Sequence, residues 1–303
     1  MKSVTVFMST YNGEEFLEAQ IDSVLNQEGV QVNLLVRDDG SSDKTVDILS
    51  KYKEANKLKF KLGNNIGYGR SFLNLFKDVN VKTDYYAYAD QDDVWDTCKL
   101  QKAVEILESN KSNFGNLYFC NMKVVDNKLK LLSIKDYSDV KISLGSVLVR
   151  QRIAGCTMVF DNILFEKANK VNFENYKYHI SHEWIYILCL AIGGKVNRDQ
   201  NAYINYRRHE NTATSVGRGV KVRIKSELKP FKIAKNDKLE LSKIILKNYF
   251  DDLEDEAKEL FEKIAVYNKS FLNTISLIRC KELDSAVLLL NIRIRIIILL
   301  RAF

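Results

Sequence analysis

Three carboxylates, Asp90, Asp92 and Asp93, fall within four positions at the end of the aromatic, apolar run YYAYA. Along an extended strand end, side chains two apart point the same way, so Asp90 and Asp92 are expected on one side and Gln91 and Asp93 on the other. Like charges so placed repel. A hard divalent cation offsets them, and magnesium or manganese is commonly held by one or two carboxylates together with substrate phosphates. A solvated acidic turn ahead of a helix starting near Lys99 would also account for the run. A second loop, RDDGSSDKT (Arg37 to Thr45), combines turn residues with Asp43, which can cap the helix after it. Turn chemistry leaves Asp38 and Asp39 unexplained, and a carboxylate there can accept the imide proton of a uracil or thymine ring. A third loop, STYNGEE (Ser9 to Glu15), presents Thr10, Tyr11 and Asn12. Their hydroxyls and ring suit a ribose and a base; an Asn-Gly turn is the plainer explanation.

These loops need elements to hold them. Short β-branched runs alternate with amphipathic stretches through the first half: VTVFM (Val4 to Met8), a helix over Glu14 to Gln27, VNLLVRD (Val32 to Asp38), a helix over Lys44 to Tyr52, and KFKL (Lys59 to Leu62). A helix from about Gly69 to Lys77, YYAYA (Tyr85 to Ala89) and a helix over Lys99 to Ser109 continue the pattern. Such alternation predicts right-handed crossovers and an α/β, doubly wound, mostly parallel sheet, whose ligands collect beyond the carboxyl ends of the strands. From NLYFCNMKVV (Asn116 to Val125) onward it loosens into CTMVF (Cys156 to Phe160), a helix around Trp184 to Ile192 and AYINYR (Ala202 to Arg207), read as mixed strands added to the same sheet. Small residues near Ser215 to Gly219 mark a boundary, giving a catalytic domain over 1–216 and a helical, lysine-rich region over 217–303.

The chain has 303 residues, a net charge of +7 and five cysteines with no CxxC pair. This reads as a globular protein with reduced, buried thiols, pointing to the cytoplasm. The N-terminal apolar stretch is too short for a signal peptide. Zinc-finger spacing, an RNP-like signature and a helix-turn-helix are all missing, so no nucleic-acid partner is expected.

Four ordered motifs, VTVFMSTYN, VRDDGSSDKT, NNIGYGRSFLNLF and ADQDDVW, resemble those of the family 2 glycosyltransferases, which carry the A-type nucleotide-diphospho-sugar transferase fold. The resemblance runs from about Val4 to His209. It implies that Asp39 reads the base, that Thr10 and Tyr11 lie near the nucleoside with Arg70 approaching the nucleotide, and that Asp90 sits beside the ribose and diphosphate. It makes Asp92 the direct ligand of a magnesium or manganese ion, with His209 completing the metal shell, and has Asp93 orient the donor sugar. IAGCTMVF (Ile153 to Phe160) resembles the acceptor-side strand, and SHEWIYILCLAIGG (Ser181 to Gly194) the segment carrying the catalytic base. The matching position is Glu183, where many members have Asp. A helix N-terminus favours an ionised carboxylate there. The implied reaction is a single inverting displacement from a nucleotide-diphospho-sugar to a glycan or lipid-linked glycan. The ADQDDVW form is similar to rhamnosyl and galactofuranosyl transferases of bacterial surface polysaccharide synthesis, implying a UDP or dTDP donor. The alternative is a catalytically silent partner of another transferase.

The last segment, Ser285 to Phe303, is strongly apolar but interrupted by Arg293, Arg295 and Arg301. That pattern argues against a spanning helix and suits either an interfacial helix on the inner face of the cell membrane or a homodimer contact. Lys221, Lys225, Lys229, Lys232 and Lys235 suit an anionic leaflet.

Overall fold

The computed structural model describes residues 1–171, 173, 176, 182–208 and 236–303. His209 and the lysines between 221 and 235 lie outside the described residues. The chain divides into two compact units: one takes Met1–Asp139, Ile153–Cys189 and Gly194–Arg208, the other Val140–Arg152, Leu190–Gly193 and the chain beyond Arg208. The boundary expected near Ser215 to Gly219 also falls outside the described residues.

The first unit is built on one sheet. Strands β1 (Lys2–Thr10), β2 (Val30–Asp38), β3 (Lys59–Leu62) and β4 (Tyr85–Ala89) alternate with helices α1 (Leu17–Leu25), α2 (Thr45–Glu54) and α3 (Tyr68–Lys77). They pair in parallel in the order β3-β2-β1-β4, the arrangement that helical crossovers enforce. Both faces of β1 and β4, and of the C-terminal part of β2, are buried. Val4, Val6, Met8, Tyr85, Ala87 and Ala89 meet α1 and its neighbours on one side. On the other, Phe7, Phe76, Tyr86, Tyr88, Phe160 and Phe165 form an aromatic layer, with Tyr86 and Phe165 stacked at 3.9 Å. Double burial is why these strands read as continuous apolar runs.

Beyond β4 the sheet becomes mixed. After the short β5 (Val94–Trp95), α4 (Lys99–Ser109), β6 (Asn116–Val125) and β7 (Leu131–Lys135) come β8 (Met158–Asp161), α6 (Asn162–Ala168), α7 (Glu183–Ala191) and β9 (Lys195–Arg207). β8 runs antiparallel between β4 and β6, whereas β9 is parallel to β6 and antiparallel to β5. β5 and β7 escape the sequence pattern because one has two residues and the other is almost wholly exposed, with no alternation to betray it.

The second unit is helical: α5 (Leu144–Val149), α8 (Asp237–Tyr249), α9 (Asp255–Val266), α10 (Phe271–Ile278) and α11 (Leu288–Leu299). Among the described residues, no helix is long and apolar enough to cross a membrane. All five cysteines are free thiols, four of them buried, as the sequence implies.

Candidate active site

The parallel register brings three strand ends to one edge, with Thr10 paired to Asp38 and Met8 to Ala89. The loops after β1, β2 and β4 therefore emerge together, and hydrogen bonds lace them. Tyr11 N–H donates to Gln91 Oε1 at 2.8 Å while Gln91 Nε2 donates back to the Tyr11 carbonyl at 3.0 Å. Ser42 N–H donates to Asn12 Oδ1 at 2.8 Å, Asn12 N–H to Ser41 Oγ at 2.9 Å, and Gly13 N–H to Thr45 Oγ1 at 2.8 Å. Polar turn residues at these positions thus give a rim held before any ligand arrives. The Tyr11 ring remains about half exposed on it.

The two aspartates after β2 divide the work. Asp38 accepts the Thr10 hydroxyl at 3.0 Å, the Gly40 and Ser41 amides at 3.1 and 2.9 Å, and the Ser41 hydroxyl, so it organises its own turn. The buried Thr10 hydroxyl is spent on that bond. Asp39 is 2% exposed and ion-paired with Arg37. Its oxygens also accept the amides of Ile66 at 3.0 Å and Gly67 at 2.8 Å. Arg37 reaches on to Asn64 O and Ser71 Oγ. The carboxylate expected at the base is therefore also the tie that holds the loop between β3 and α3.

At the acid motif the strand gives way to a turn. β4 ends at Ala89 and the chain turns at Gln91 and Asp92, so spacing by two no longer sets direction. One carboxylate oxygen each of Asp90 and Asp93 lies with Cys156 Sγ in a group whose atoms are all within 4.8 Å of one another, and Asp92 is near enough for its charge to act on Asp90. Burial, and then the Asp92 charge, push the Asp90 carboxyl up to about 7, against a smaller opposite pull from the Cys156 thiol. Asp93 is wholly buried and is raised well above the ordinary carboxylate range, again chiefly by burial and then by its acidic neighbours. Its Oδ1 accepts the Arg207 amide at 3.1 Å, whereas Oδ2 has no oxygen or nitrogen donor among the described residues.

Arg207, the last residue of β9, fastens this loop. Its Nε donates to the Asp92 carbonyl at 2.9 Å, and its guanidinium lies 4.4 Å from the centre of the Phe16 ring. Behind the motif, the fully buried Lys99 holds its ammonium 3.3 Å from the Trp95 ring centre, and burial pushes it down to about 8. The sequence points to neither role, since Lys99 reads as the first turn of a surface helix.

Glu183 stands at the first position of α7, as expected. The preceding His182 ring packs on Gly155, where a Cβ would come within 2.6 Å of the imidazole, so only glycine admits this approach. Gly67, at φ +81°, opens α3 and presents Tyr68. The Tyr68 phenol is pushed up by partial burial and then by the charges of Glu183 and Asp90. It therefore lies within electrostatic reach of both carboxylates. Arg70 donates to the Tyr176 carbonyl at 2.9 Å, a structural bond for a residue expected at the nucleotide. His209 lies outside the described residues.

The donor set suits a hard cation. Two crowded carboxyls are pushed upward, and Asp93 Oδ2 is buried with no oxygen or nitrogen donor among the described residues, an arrangement whose charge a divalent ion would offset.

The chain is 26% identical to the dTDP-rhamnosyl transferase RfbG of Shigella flexneri over 239 residues, covering 76% of this chain and 79% of that one. It is also 26% identical to the UDP-Glc:alpha-D-GlcNAc-diphosphoundecaprenol beta-1,3-glucosyltransferase WfaP of Escherichia coli, covering 71% of this chain and 81% of that one. Among solved structures, S. aureus TarS 1-349 in complex with UDP-GlcNAc superimposes with a TM-score of 0.57 over 93% of this chain and 77% of that one, at 17% identity, a likeness of fold. Residues 5–166, which carry β1 to β4 and all three rim loops, match the description of glycosyl transferase family 2. The chain belongs to that family.

Proposed function

We propose that this glycosyltransferase moves a sugar, with inversion, from a UDP- or dTDP-type nucleotide-diphospho-sugar to a hydroxyl of a lipid-linked glycan, in the building of a bacterial surface polysaccharide. The observation that carries the reading is the convergence at one sheet edge of the loops after β1, β2 and β4, tied by the reciprocal Tyr11–Gln91 hydrogen bonds, with the acid motif among them. Tyr11 offers its exposed ring to the base, and Thr10 and Asp39 shape the edge on which the nucleoside lies. Arg70 stands at the entrance of α3 on the nucleotide side.

Glu183 takes the proton of the acceptor hydroxyl as that oxygen attacks the anomeric carbon, and the bond from that carbon to the diphosphate oxygen breaks. Inversion follows from a single displacement. Asp92 and Asp90 would hold a magnesium or manganese ion, with His209 as a further ligand. When bound, such an ion stabilises negative charge on the leaving diphosphate. Asp93, buried under the turn, keeps its neighbours in place beside the donor sugar.

RfbG, a dTDP-rhamnosyl transferase, and WfaP, which uses UDP-Glc, support the donor class, and the diphosphoundecaprenol acceptor of WfaP supports a lipid-carried one. Such an acceptor resides at a membrane, and attachment to its inner face or pairing through the C-terminal helices accords with the tail's composition. Screening UDP- and dTDP-sugars for release of nucleoside diphosphate, with and without manganese, tests the reading. Metal-stimulated release from one such donor is expected, and release from none of them overturns it.

A further inference from the structure

Helix α11 is apolar on both faces but covered on one. Ile294 and Ile298 are buried, and the chain end at Phe303 is tucked against Tyr267, whose hydroxyl accepts the Phe303 amide at 2.8 Å. The helix is thus fastened to its own unit. On the opposite face Leu288, Leu289, Ile292, Ile296, Leu299 and Leu300 are 45% to 76% exposed. At about 100° per residue these six span an arc of about 120°, and no polar side chain falls within it. Arg295 lies about 20° beyond one edge of the arc and Arg293 about 20° beyond the other.

An aliphatic stripe of this size facing water marks an interaction surface. Charge chooses the occupant. Between Ser285 and Phe303 there is no acidic side chain and there are three arginines. A second copy of the chain meeting this face about a twofold axis would bring arginine-edged stripes together with no carboxylate from the segment to receive them. An anionic bilayer supplies phosphates at the rim and hydrocarbon beneath the stripe.

We propose that α11 is an interfacial helix that lies flat on an anionic membrane. Its six aliphatic side chains enter the boundary between headgroups and acyl chains, and Arg295, beside the stripe, reaches sideways to lipid phosphates. This inference rests on the membrane attachment named in the transferase reading and assigns it to one helix face; its test measures binding without turnover, so it can fail while that reading stands.

The full chain is sedimented with vesicles of phosphatidylcholine alone and of phosphatidylcholine mixed with phosphatidylglycerol. Binding to the mixed vesicles is expected, weakened at least about ten-fold on phosphatidylcholine alone. The exposed double substitution Leu289→Ser/Ile292→Ser is expected to weaken it by a similar factor with an unchanged melting temperature. Arg295→Gln should lower the preference for the anionic vesicles. If the serine pair disturbs folding, Leu289→Ala/Ile292→Ala gives the same test in milder form. Failure to bind the mixed vesicles, or equal binding by wild type and a folded double variant, overturns the proposal. So does a lipid-free dimer, seen by light scattering, that the double variant dissociates, because the face is then a self-association surface.

Discussion

Replacing Asp39 by asparagine separates its two candidate roles, tie and base reader. The Arg37 and Asp39 side chains are 6% and 3% exposed, so the substitution leaves a guanidinium without its countercharge away from water. Breaking such a buried pair from one side costs about 3–5 kcal/mol. Asparagine keeps one carbonyl oxygen for the Ile66 or Gly67 amide, but its NH2 group then faces a donor at the other. Arg37 retains Asn64 O and Ser71 Oγ, which places the expected loss near the low end, about 3 kcal/mol. For a unit of roughly 150–250 residues that is a fall in melting temperature of about 6–12 °C, readable by circular dichroism. Combined with Arg37→Gln in a double-mutant cycle, the pair should show a coupling of about 2 kcal/mol, because each single change removes the same contact. Calorimetric titration with UDP and dTDP runs in parallel. Melting within about 2 °C of wild type, with nucleotide binding abolished, would refute the reasoning: the carboxylate would then act on the base and not on the loop.

Glu183→Gln is isosteric and, if the residue is the base, should lower turnover by about 10²–10⁴ while leaving donor binding and the melting temperature unchanged. Near-normal transfer to the natural acceptor would remove it from that role. Asp92→Asn should abolish metal-stimulated release of nucleoside diphosphate, and chelation of the wild-type enzyme should do the same until magnesium or manganese is restored. Activity in excess chelator equal to that of the untreated enzyme would exclude a metal requirement. Glu108 is held at about 2, first by the hydrogen bond from the Tyr85 hydroxyl and then by Lys111 and Lys2. Its folded value lies below its unfolded one of about 4.3, so its contribution is present above that pH and is lost as pH falls toward 2. Glu108→Gln should therefore melt below wild type at pH 7, with a gap that narrows on acidification, and a gap independent of pH would contradict this origin.

Much of the catalytic unit was legible because local rules and tertiary structure agree there. YYAYA, KFKL and NLYFCNMKVV are strands with the expected bounds, and Lys99 to Ser109 is a helix, since periodicity and length left little choice. The helix expected from Glu14 begins at Leu17 because a turn closed by the Phe16 amide on the Gly13 carbonyl occupies Gly13 to Phe16. The expected β-strand at Ala202 to Arg207 is the end of a 13-residue strand whose earlier part carries charged residues that mask its pattern.

The sequence by itself determined that a parallel α/β half exists, that three polar loops follow its strands, and that acids cluster on one of them, because burial on both faces and turn chemistry are written in residue type. Only the tertiary structure decided what those acids face. The turn after Ala89 brought Asp90 to Asp93 and Cys156, β9 delivered the Arg207 amide to Asp93, and the charge of Glu183 acts on the Tyr68 phenol. Cys156, Arg207 and Glu183 stand tens of residues or more along the chain from the groups they act on. Their charges and hydrogen bonds act through distance in space, which no periodicity along the chain encodes.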